Sequence, residues 1–569
     1  MRLTVGSIFF ILLHWMNHPM TLLATTTYVD SQQSFDRAHD TAAANDSIIW
    51  RSGTYSNIYM DISKDQLFIS AETLGETIFN GRSMVEITGD HITFQGFQFL
   101  GGNIGTDDVV NIRGSHILFT QVNIQDYTCY KYLRVRESSQ FVDITYCNFE
   151  NRLNLDDQNI LSILVHATQP GFHKIQWCSF KNFDGIGRDL GIEPIRIGLS
   201  SQATRSSRSL VEYCYFTQCN GDGEIISSKA AENVYRYNTF EDNPLAELVL
   251  RHGSRAVVYG NFFLNGKGGV RVREGQEHYI YNNYFYDLDD RPIYLQNEAS
   301  DPLSKIDIAF NTIINCEEVR LGGGGSNPPT EVTFANNIIA DAKGSAFRET
   351  TGMETWIGNI VEGSLGMEQP AQGINNTPVG LEQNSAGFFG LASNSSAIDA
   401  GKEGYKPLPQ FEGIEEIDAD LMLDLMGQQR PTETDKKDVG CNEYPQEILI
   451  QPIATEANTG PSYPTAMTTS ITNTSIVVNN LIQLHPNPVS DQLQLTITSQ
   501  KQMDLQVGVF DMNGHQVTSL VSSTNFVGEQ KLTKSIAQLP AGFYMVRALG
   551  RVLQGHVSYL QTIKFIKVE

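Results

Sequence analysis

The chain has 569 residues and a formal net charge of −24, with 40% hydrophobic and only 18% charged residues. This length exceeds one ordinary domain, so the chain either divides into several domains or forms one elongated repeat body with additions. The negative charge argues against a nucleic-acid partner, because phosphate neutralisation requires a basic surface. The 48 glycines and the low charge content favour β structure with many tight turns.

Residues 1–24 have the features of a secretory signal peptide. Arg2 precedes an apolar run at 8–13, and the segment ends in the small residue Ala24 before a polar stretch. The run is too short and too interrupted for a membrane span. We therefore expect an exported mature protein without a transmembrane segment.

The next segment predicts a short helix over 31–44, followed by repeated short strands. A helix in this place would cover the first coil of a repeat body and shield an otherwise open sheet edge.

Six motifs of the form Asn-x-Phe, Asn-x-Ile or Asn-x-Val recur in one frame through the middle of the chain. Their asparagines are separated by 23, 22, 28, 26 and 22 residues, and such periods indicate stacked supersecondary units. Short apolar runs that end in Gly, Asn or Asp predict several strands per unit rather than a helix pair. The regular LxxLxL pattern of leucine-rich repeats is missing. We therefore predict an all-β fold, a right-handed parallel β-helix over 25–445, in which these asparagines bond from coil to coil: Asn238, Asn261, Asn283, Asn311, Asn337 and Asn359.

The seven cysteines are an odd number, and no CxxC pair suggests a zinc site. Cys147, Cys178 and Cys214 occupy matching frames in front of an aromatic residue. Buried free thiols in one interior column are the preferred interpretation, and a disulfide or a reactive thiol is the alternative.

The end of the chain changes character twice. The motifs at 424–431 and 438–444 are interpreted as a segment that closes the repeat body, and the Thr, Pro, Ser and Asn content of 446–480 is typical of a linker. Period-two apolar runs in 481–569 predict a small antiparallel β-sandwich.

The runs LHPNPVSDQLQL and LPAGFYMVR in that last segment resemble the C-terminal sorting domain of type IX secretion cargo. The resemblance implies the secretion machinery as a partner and transit across a Gram-negative outer membrane, with release or attachment at the cell surface. A carbohydrate-binding or adhesion module is the alternative.

The chemistry of the chain concentrates between 221 and 284. From 229 to 273 there are seven basic and four acidic residues, a local charge of +3 on an acidic body. A positive cleft of this kind concentrates an anionic ligand. An anionic ligand is therefore expected, and we interpret the stretch 221–284 as the active face of an enzyme whose partner is an acidic polysaccharide.

A uronate chain is cleaved when the proton next to its carboxylate is removed and the glycosidic oxygen is expelled. This reaction needs positive charge on the carboxylate, a neutral base and a proton donor at the leaving oxygen. Lys229 is a candidate base if neighbouring cations lower its pKa. Arg251, Arg271 and Arg273 are candidates for binding carboxylates, which arginine engages in bidentate fashion.

Asp222 and Glu224 are candidates for holding a hard cation such as Ca²⁺, because residues i and i+2 of a strand project to one face. Taken alone, this pair is more often a solvated turn, and a lone lysine on a strand is usually a surface residue. The spacing favours a site, since 22 residues separate Lys229 from Arg251 and 20 separate Arg251 from Arg271. On a β-helix these residues fall on neighbouring coils.

The runs GEIISSK (223–229), LVLRHG (248–253), GGVRV (268–272) and HYIYNNYF (278–285) resemble polysaccharide lyase family six, which contains chondroitinase B and many alginate lyases. The resemblance extends over about 28–445. It implies that Lys229 is the Brønsted base and Arg251 the acid. Because guanidinium holds its proton tightly, water or His252 is the alternative donor. The candidate substrate-binding residues are His252, Arg271, Arg273 and His278.

The same resemblance implies a calcium ion held by Asp222, by Glu224 and by an upstream asparagine. The sequence departs from the family pattern here, because Asp222 stands where glutamate is usual and the segment 188–198 has no asparagine. Asp189 or Glu193 is the candidate replacement, so the need for calcium stays open.

The leading hypothesis is an exported lyase that cleaves alginate by β-elimination. A dermatan or chondroitin sulfate lyase would need further basic residues for sulfate, and Arg291, Arg320 and Arg348 are scattered candidates. A hydrolase would need carboxylates flanking the bond, where this chain offers Lys and Arg. A glycan-binding β-helix without catalysis is the alternative from another class.

Overall fold

The structure is a computed structural model. It describes residues 24–154, 158–184, 191–297, 303–323, 325, 327–384, 387–415, 417–445, 452–463, 465, 482–485, 491–510, 516–540, 542–552 and 558–567. The predicted signal peptide lies outside these residues except for Ala24. Within the described part of the chain, no helix is long and apolar enough to cross a membrane.

The main body is a parallel β-helix, as predicted, with three sheets of 14, 14 and 12 strands that we name A, B and C. Successive coils pass through A, B and C in turn, and every strand pairs in parallel with its counterpart in the next coil. Sheet A comprises Thr26–Val29, Ser47–Trp50, Phe68–Ala71, Thr93–Gln95, Ile117–Thr120, Val142–Thr145, Lys174–Gln176, Leu210–Glu212, Val234–Arg236, Val257–Tyr259, Tyr279–Tyr281, Ser304–Ala309, Thr330–Ala335 and Thr355–Ile357.

Sheets B and C complete each coil. Sheet B comprises Gly53–Ser56, Thr77–Gly81, Phe97–Gly102, Asn123–Gln125, Asn148–Glu150, Ser179–Asp184, Tyr215–Asn220, Thr239–Glu241, Phe262–Leu264, Tyr284–Tyr286, Thr312–Ile314, Ile338–Ala340, Asn359–Val361 and Ile374–Asn376. Sheet C comprises Tyr59–Ile62, Met84–Ile87, Asp108–Ile112, Lys131–Val135, Leu161–Ile163, Ile195–Ile197, Glu224–Ser228, Glu247–Leu250, Val270–Val272, Ile293–Leu295, Val319–Arg320 and Phe347–Arg348.

The interior of the β-helix is one continuous hydrophobic core in which like residues stack from coil to coil. Aromatic rings in adjacent coils of sheet B lie 4.7–5.1 Å apart, close to the spacing between strands. They belong to Phe149, Phe180, Phe216, Phe240, Phe263 and Phe285. The seven cysteines are all free and buried, in agreement with the preferred interpretation of the sequence.

The predicted asparagine ladder is present at the turn that leads into sheet B. Each side-chain amide donates to the side-chain oxygen of the asparagine one coil further on, over 2.9–3.1 Å, from Asn238 through to Asn359. The ladder residues are buried. The asparagine motif therefore has a structural role, because its side chains form hydrogen bonds with buried polar groups along the stack.

The predicted helix is observed as Gln32–Thr41, with Ser31 as its N-cap in a capping box. Its buried Phe35 stacks on Trp50 of the first full coil, with ring centroids 5.8 Å apart. Short 3₁₀ helices occur at Ser200–Gln202 and Thr434–Lys436.

After the last coil, a hairpin of Leu381–Gln383 and Phe389–Leu391 is followed by irregular chain. The predicted closing segment packs against the side of the stack. There the buried Arg430 pairs with Glu443 at 2.6 Å and donates to Asn282 at 3.0 Å. At the C-terminus, five strands pair as an antiparallel sheet: Ile482–His485, Gln492–Phe510, Gln516–Ser535, Gly542–Val552 and Ser558–Lys567. The antiparallel strands agree with the prediction of a small antiparallel β-sandwich, and those that the structure describes belong to one sheet.

Within the segment assigned to a linker by its composition, the structure describes residues 452–463, which we call the strap. The strap runs back along the β-helix from the coil of Trp177, whose carbonyl accepts from Gly460, toward the coils of Gln121 and Phe97. The hydroxyl of Tyr463 lies 2.9 and 2.8 Å from the carbonyl oxygens of Phe97 and Gln121. The strap thus joins coils that are distant from it in sequence.

Replacing Tyr463 with alanine is expected to lower the apparent melting temperature by roughly 2–4 °C, because a half-buried ring and its hydrogen bonds are lost. Tyr463→Phe, which keeps the ring, should recover most of the loss. Thermal unfolding followed by circular dichroism measures both. Equal melting temperatures for the alanine variant and the parent would show that the strap does not stabilise the β-helix.

Candidate active site

Three of the predicted site residues occupy the same position in consecutive coils. Lys229, Arg251 and Arg273 each lie one residue beyond a strand of sheet C, and their backbone N–H groups donate to the preceding coil over 2.8, 2.8 and 2.9 Å. Because the coils pair in parallel and in register, these side chains leave the stack about 4.8 Å apart. This spacing is on the scale of one sugar residue.

Lys229 is half-buried, and its ammonium group makes no hydrogen bond or ion pair with the residues that the structure describes. Burial lowers the pKa of Lys229 from its ordinary value of 10.5, and the positive charges of Arg196 and Arg251 lower it further. Glu193 and Glu224 act in the opposite direction on this pKa. The resulting lysine is easier to deprotonate than a surface lysine, as a general base requires.

Glu224 is the centre of an arginine cluster. It is 3% exposed, and its Oε1 lies 2.5 Å from Nη1 of Arg251. Nη2 of Arg271 and Nη1 of Arg273 are both 3.9 Å from the same oxygen. Three guanidinium groups from two neighbouring coils thus converge on one buried carboxylate oxygen.

A second buried carboxylate, that of Glu247, contacts Arg271 and a further arginine, Arg291. It is fully buried, with Oε1 3.0 Å from Nε of Arg271 and 3.9 Å from Nη2 of Arg291. Burial raises the pKa of Glu247, while the charge of Arg271 opposes that shift. The guanidinium of Arg271 therefore lies between Glu224 and Glu247 in ion-pair contact, without a hydrogen bond from its Nε.

His252 lies next to Arg251 and is oriented by a carboxylate. Its Nδ1 is 2.6 Å from Oε2 of Glu274, which is 32% exposed. The chain then turns at Gly253, where φ is +82° and an added Cβ would lie 2.5 Å from the carbonyl of Ala230. Only glycine fits this turn, which accounts for its place in the LRHG run.

His278 is not part of this arrangement. It is fully buried, its Nδ1 accepts from the backbone N–H of Ala256 at 3.2 Å, and its Nε2 lies 3.1 Å from the carbonyl of Glu274. Burial lowers the pKa of His278 to about 4, so the ring is neutral near neutral pH. The structure gives it a role in holding coils together instead of the substrate contact that the sequence predicts.

The comparison with family models adds a decisive observation. Residues 29–318, about half of the chain, match the model described as Chondroitinase B. The chain belongs to the chondroitinase B family. The matched range includes Lys229, Arg251 and the other residues of the candidate site described above.

Solved structures of similar fold include several from polysaccharide lyase family six. The alginate lyase AlyGC superposes with a TM-score of 0.62 at 20% identity, covering 78% of this chain and 59% of its own. A mannuronic acid specific family 6 lyase from human gut microbiota gives 0.55 at 21% identity, covering 62% and 92%. An alginate lyase solved with a trisaccharide gives 0.57 at 17% identity, covering 79% and 97%. At these identities the likeness shows the shared fold, and this chain spans about three fifths of AlyGC.

Residues 483–553 match the secretion system C-terminal sorting domain, so the protein is exported or displayed at the cell surface. No curated protein matches the chain significantly.

The residues predicted as calcium ligands are already engaged. Asp222 accepts from the backbone N–H groups of Gly191 at 2.5 Å and Glu224 at 3.0 Å. Glu193 pairs with Arg196 through both of its oxygens, at 2.7 and 2.5 Å. Asp189 lies outside the described residues. Within the described residues, no group of three or more His, Cys, Asp or Glu side chains is arranged to hold a metal ion.

Three residues of the candidate site were missed by the sequence reasoning: Arg196, Glu247 and Glu274. Glu247 carries the clearest signal, because it follows Glu224 by one coil length within an apolar strand, and an acid in that place needs a partner. Arg196 and Glu274 lie beside recognised motifs. Their importance depends on side-chain pairing across coils, which the sequence does not display.

Proposed function

We propose that this member of the chondroitinase B family is an exported polysaccharide lyase that cleaves alginate by β-elimination. The observation that carries the proposal is the placement of Lys229, half-buried, unpaired among the described residues and with a lowered pKa, one coil from Arg251.

In the proposed reaction, neutral Lys229 Nζ takes the C5 proton of a uronate. The electron pair of that C–H bond forms the C4–C5 double bond, and the C4–O glycosidic bond breaks. The leaving oxygen receives a proton, and the product is an unsaturated uronate at the new chain end. Arg251 and His252 stand beside the base and are the candidates to assist the leaving oxygen.

Positive charge on the substrate carboxylate is the second requirement, because the C5 proton becomes acidic only when that charge is neutralised. Arg271 and Arg273 supply it. Their side chains are 16% and 18% exposed, so they are largely desolvated while part of each still contacts solvent. Electrostatic interactions are stronger in such a setting than in water.

Alginate is favoured over a sulfated polymer by the state of the remaining basic residues. Arg320 and Arg348 both pair with Glu318, at 2.9 and 3.1 Å, and Arg291 pairs with Asp290 at 2.8 Å. An acidic partner alone does not exclude these arginines, because Arg251 and Arg271 are paired as well. Arg320 and Arg348, however, lie four and five coils beyond the coil of Lys229, which is about 19 and 24 Å along the stack. The carboxylates of alginate need no further cations.

The sorting domain supports passage through a type IX secretion system of a Gram-negative bacterium, with release or attachment at the outer-membrane surface. A polymer too large to enter the cell would be cleaved there.

The test is the absorbance of unsaturated uronate at ultraviolet wavelengths, with the mature protein incubated separately with alginate and with dermatan sulfate. A rise with alginate alone is expected. A rise with dermatan sulfate alone would replace the proposed substrate, and no rise with any uronate polymer would favour a binding β-helix without catalysis.

The pH dependence of turnover reports on the base. Because Lys229 acts when neutral, kcat/KM should rise with pH, with a midpoint below the ordinary lysine pKa of 10.5. Arg196→Gln removes a charge that lowers this pKa and should move the midpoint to higher pH. Glu193→Gln removes a charge that raises it and should move the midpoint to lower pH. Profiles that coincide for all three proteins would assign the base to another group.

A further inference from the structure

We infer that in this chain the arginine cluster on Glu224 and Glu247 takes the place of the calcium ion that the family resemblance implies, so that the site works without a divalent cation. The role of the cluster in holding a substrate carboxylate rests on the proposed function. The inference about calcium stands on the contacts alone.

The predicted calcium ligands that the structure describes already contact other groups of the protein. Asp222 is engaged by two backbone N–H groups and Glu193 by Arg196, as described above. Among the predicted calcium ligands that the structure describes, Oε2 of Glu224 is the one carboxylate oxygen that is buried and without a hydrogen-bond partner. The two oxygens of neighbouring Glu247 also lack a hydrogen bond, and they face Arg271 and Arg291. One carboxylate oxygen falls far short of the six to eight oxygens that Ca²⁺ takes.

The second step is charge. Four arginines, Arg251, Arg271, Arg273 and Arg291, lie 2.5–3.9 Å from the buried carboxylates of Glu224 and Glu247. Asp290, 2.8 Å from Arg291, adds a third negative charge, so the positive charges outnumber the negative ones by four to three. A divalent cation at Glu224 would meet repulsion from these guanidinium groups at short range. An anion is favoured in the same place.

The third step is what the carboxylates do instead. Glu224 accepts a hydrogen bond from Arg251, and Glu224 and Glu247 flank the guanidinium of Arg271 as ion-pair partners. Both acids are thus positioning residues, which hold guanidinium groups in a geometry suited to a carboxylate of the substrate. Neither acid needs to touch the substrate for this.

The experiment uses the full chain, treated with a chelator and titrated with calcium in a calorimeter, alongside turnover with and without chelator. Glu224→Gln and the matched control Glu247→Gln keep side-chain volume and remove one charge each. We expect turnover of the parent protein to be the same in both conditions. Both variants should have lower kcat/KM, and added calcium should restore neither. If titration with calcium releases or absorbs the same heat in the parent and in Glu224→Gln, any bound calcium lies elsewhere on this acidic chain. That result supports the inference.

Calcium binding that is present in the parent and absent in Glu224→Gln would overturn the inference, as would turnover that disappears in chelator and returns with calcium. A melting temperature raised by calcium in the parent alone would do the same. If no uronate polymer is cleaved, the proposed function fails, and the calorimetric and melting comparisons still decide the question of calcium.

Discussion

Replacing Lys229 with alanine is expected to lower kcat on alginate by about 10²–10⁴-fold, the usual contribution of a general base. The backbone of Lys229 is fixed by pairing with the preceding coil, and its side chain makes no ion pair with the described residues, so its removal leaves no partner stranded. Substrate affinity should be largely kept, because Arg271 and Arg273 remain. Initial rates of ultraviolet absorbance, with affinity measured by calorimetry, check this.

Two further variants separate the chemistry of Lys229 from its charge. Lys229→Arg keeps the positive charge but does not supply a neutral base, so it should be as inactive as the alanine variant. Lys305→Ala serves as the matched control, since Lys305 is 40% exposed on sheet A and pairs with Glu277 at 3.5 Å. Full activity of Lys229→Arg would rule out Lys229 as the base.

The fold could be predicted because its signals are periodic. The asparagines of the ladder recur at one coil length, and each is fixed by the same bond to the next coil, so the spacing in sequence directly reflects the spacing in space. The alternation in the last segment similarly reflects the two faces of an antiparallel sheet. In both cases a regular spacing of residue types along the chain determines how neighbouring strands are placed.

The site could be predicted in part, and the reason is geometric. Lys229 and Arg251 lie together because each follows a strand of the same sheet at one coil spacing, which the sequence displays. The orientation of side chains is a different matter. His278 turns inward to the backbone, and Glu193, a predicted calcium ligand, pairs with Arg196, because the partners of buried polar groups are set by packing between coils.

The strap shows a similar limit. Its Thr, Pro and Ser content is typical of an unstructured connection, and the bonds from Tyr463 and Ser462 to distant coils have no local signature. Composition reports on the tendency of a segment to fold by itself. The strap is instead held by contacts with the surface of the β-helix, which its composition does not reveal.

Replacing Arg251 with alanine is the second large effect that we expect, with a loss of about 10²–10³-fold in kcat, as for removal of one donor to developing negative charge. Arg251 is 33% exposed, the most open of the three arginines on Glu224, and lies one coil from the base. Its alanine variant also leaves Glu224 with weaker neutralisation, since the other two guanidinium groups are 3.9 Å away.

The role of Arg251 can be separated from that of His252 by the leaving group. A uronate that carries an aryl ether at C4 expels a phenolate, which needs little protonation. If Arg251 assists the leaving oxygen, the defect of Arg251→Ala should shrink on this substrate. If Arg251 stabilises the carboxylate, the defect should stay the same, and Arg251→Lys should recover part of the activity by restoring charge. A defect that shrinks for His252→Gln alone would instead identify the ring held by Glu274 as the proton donor.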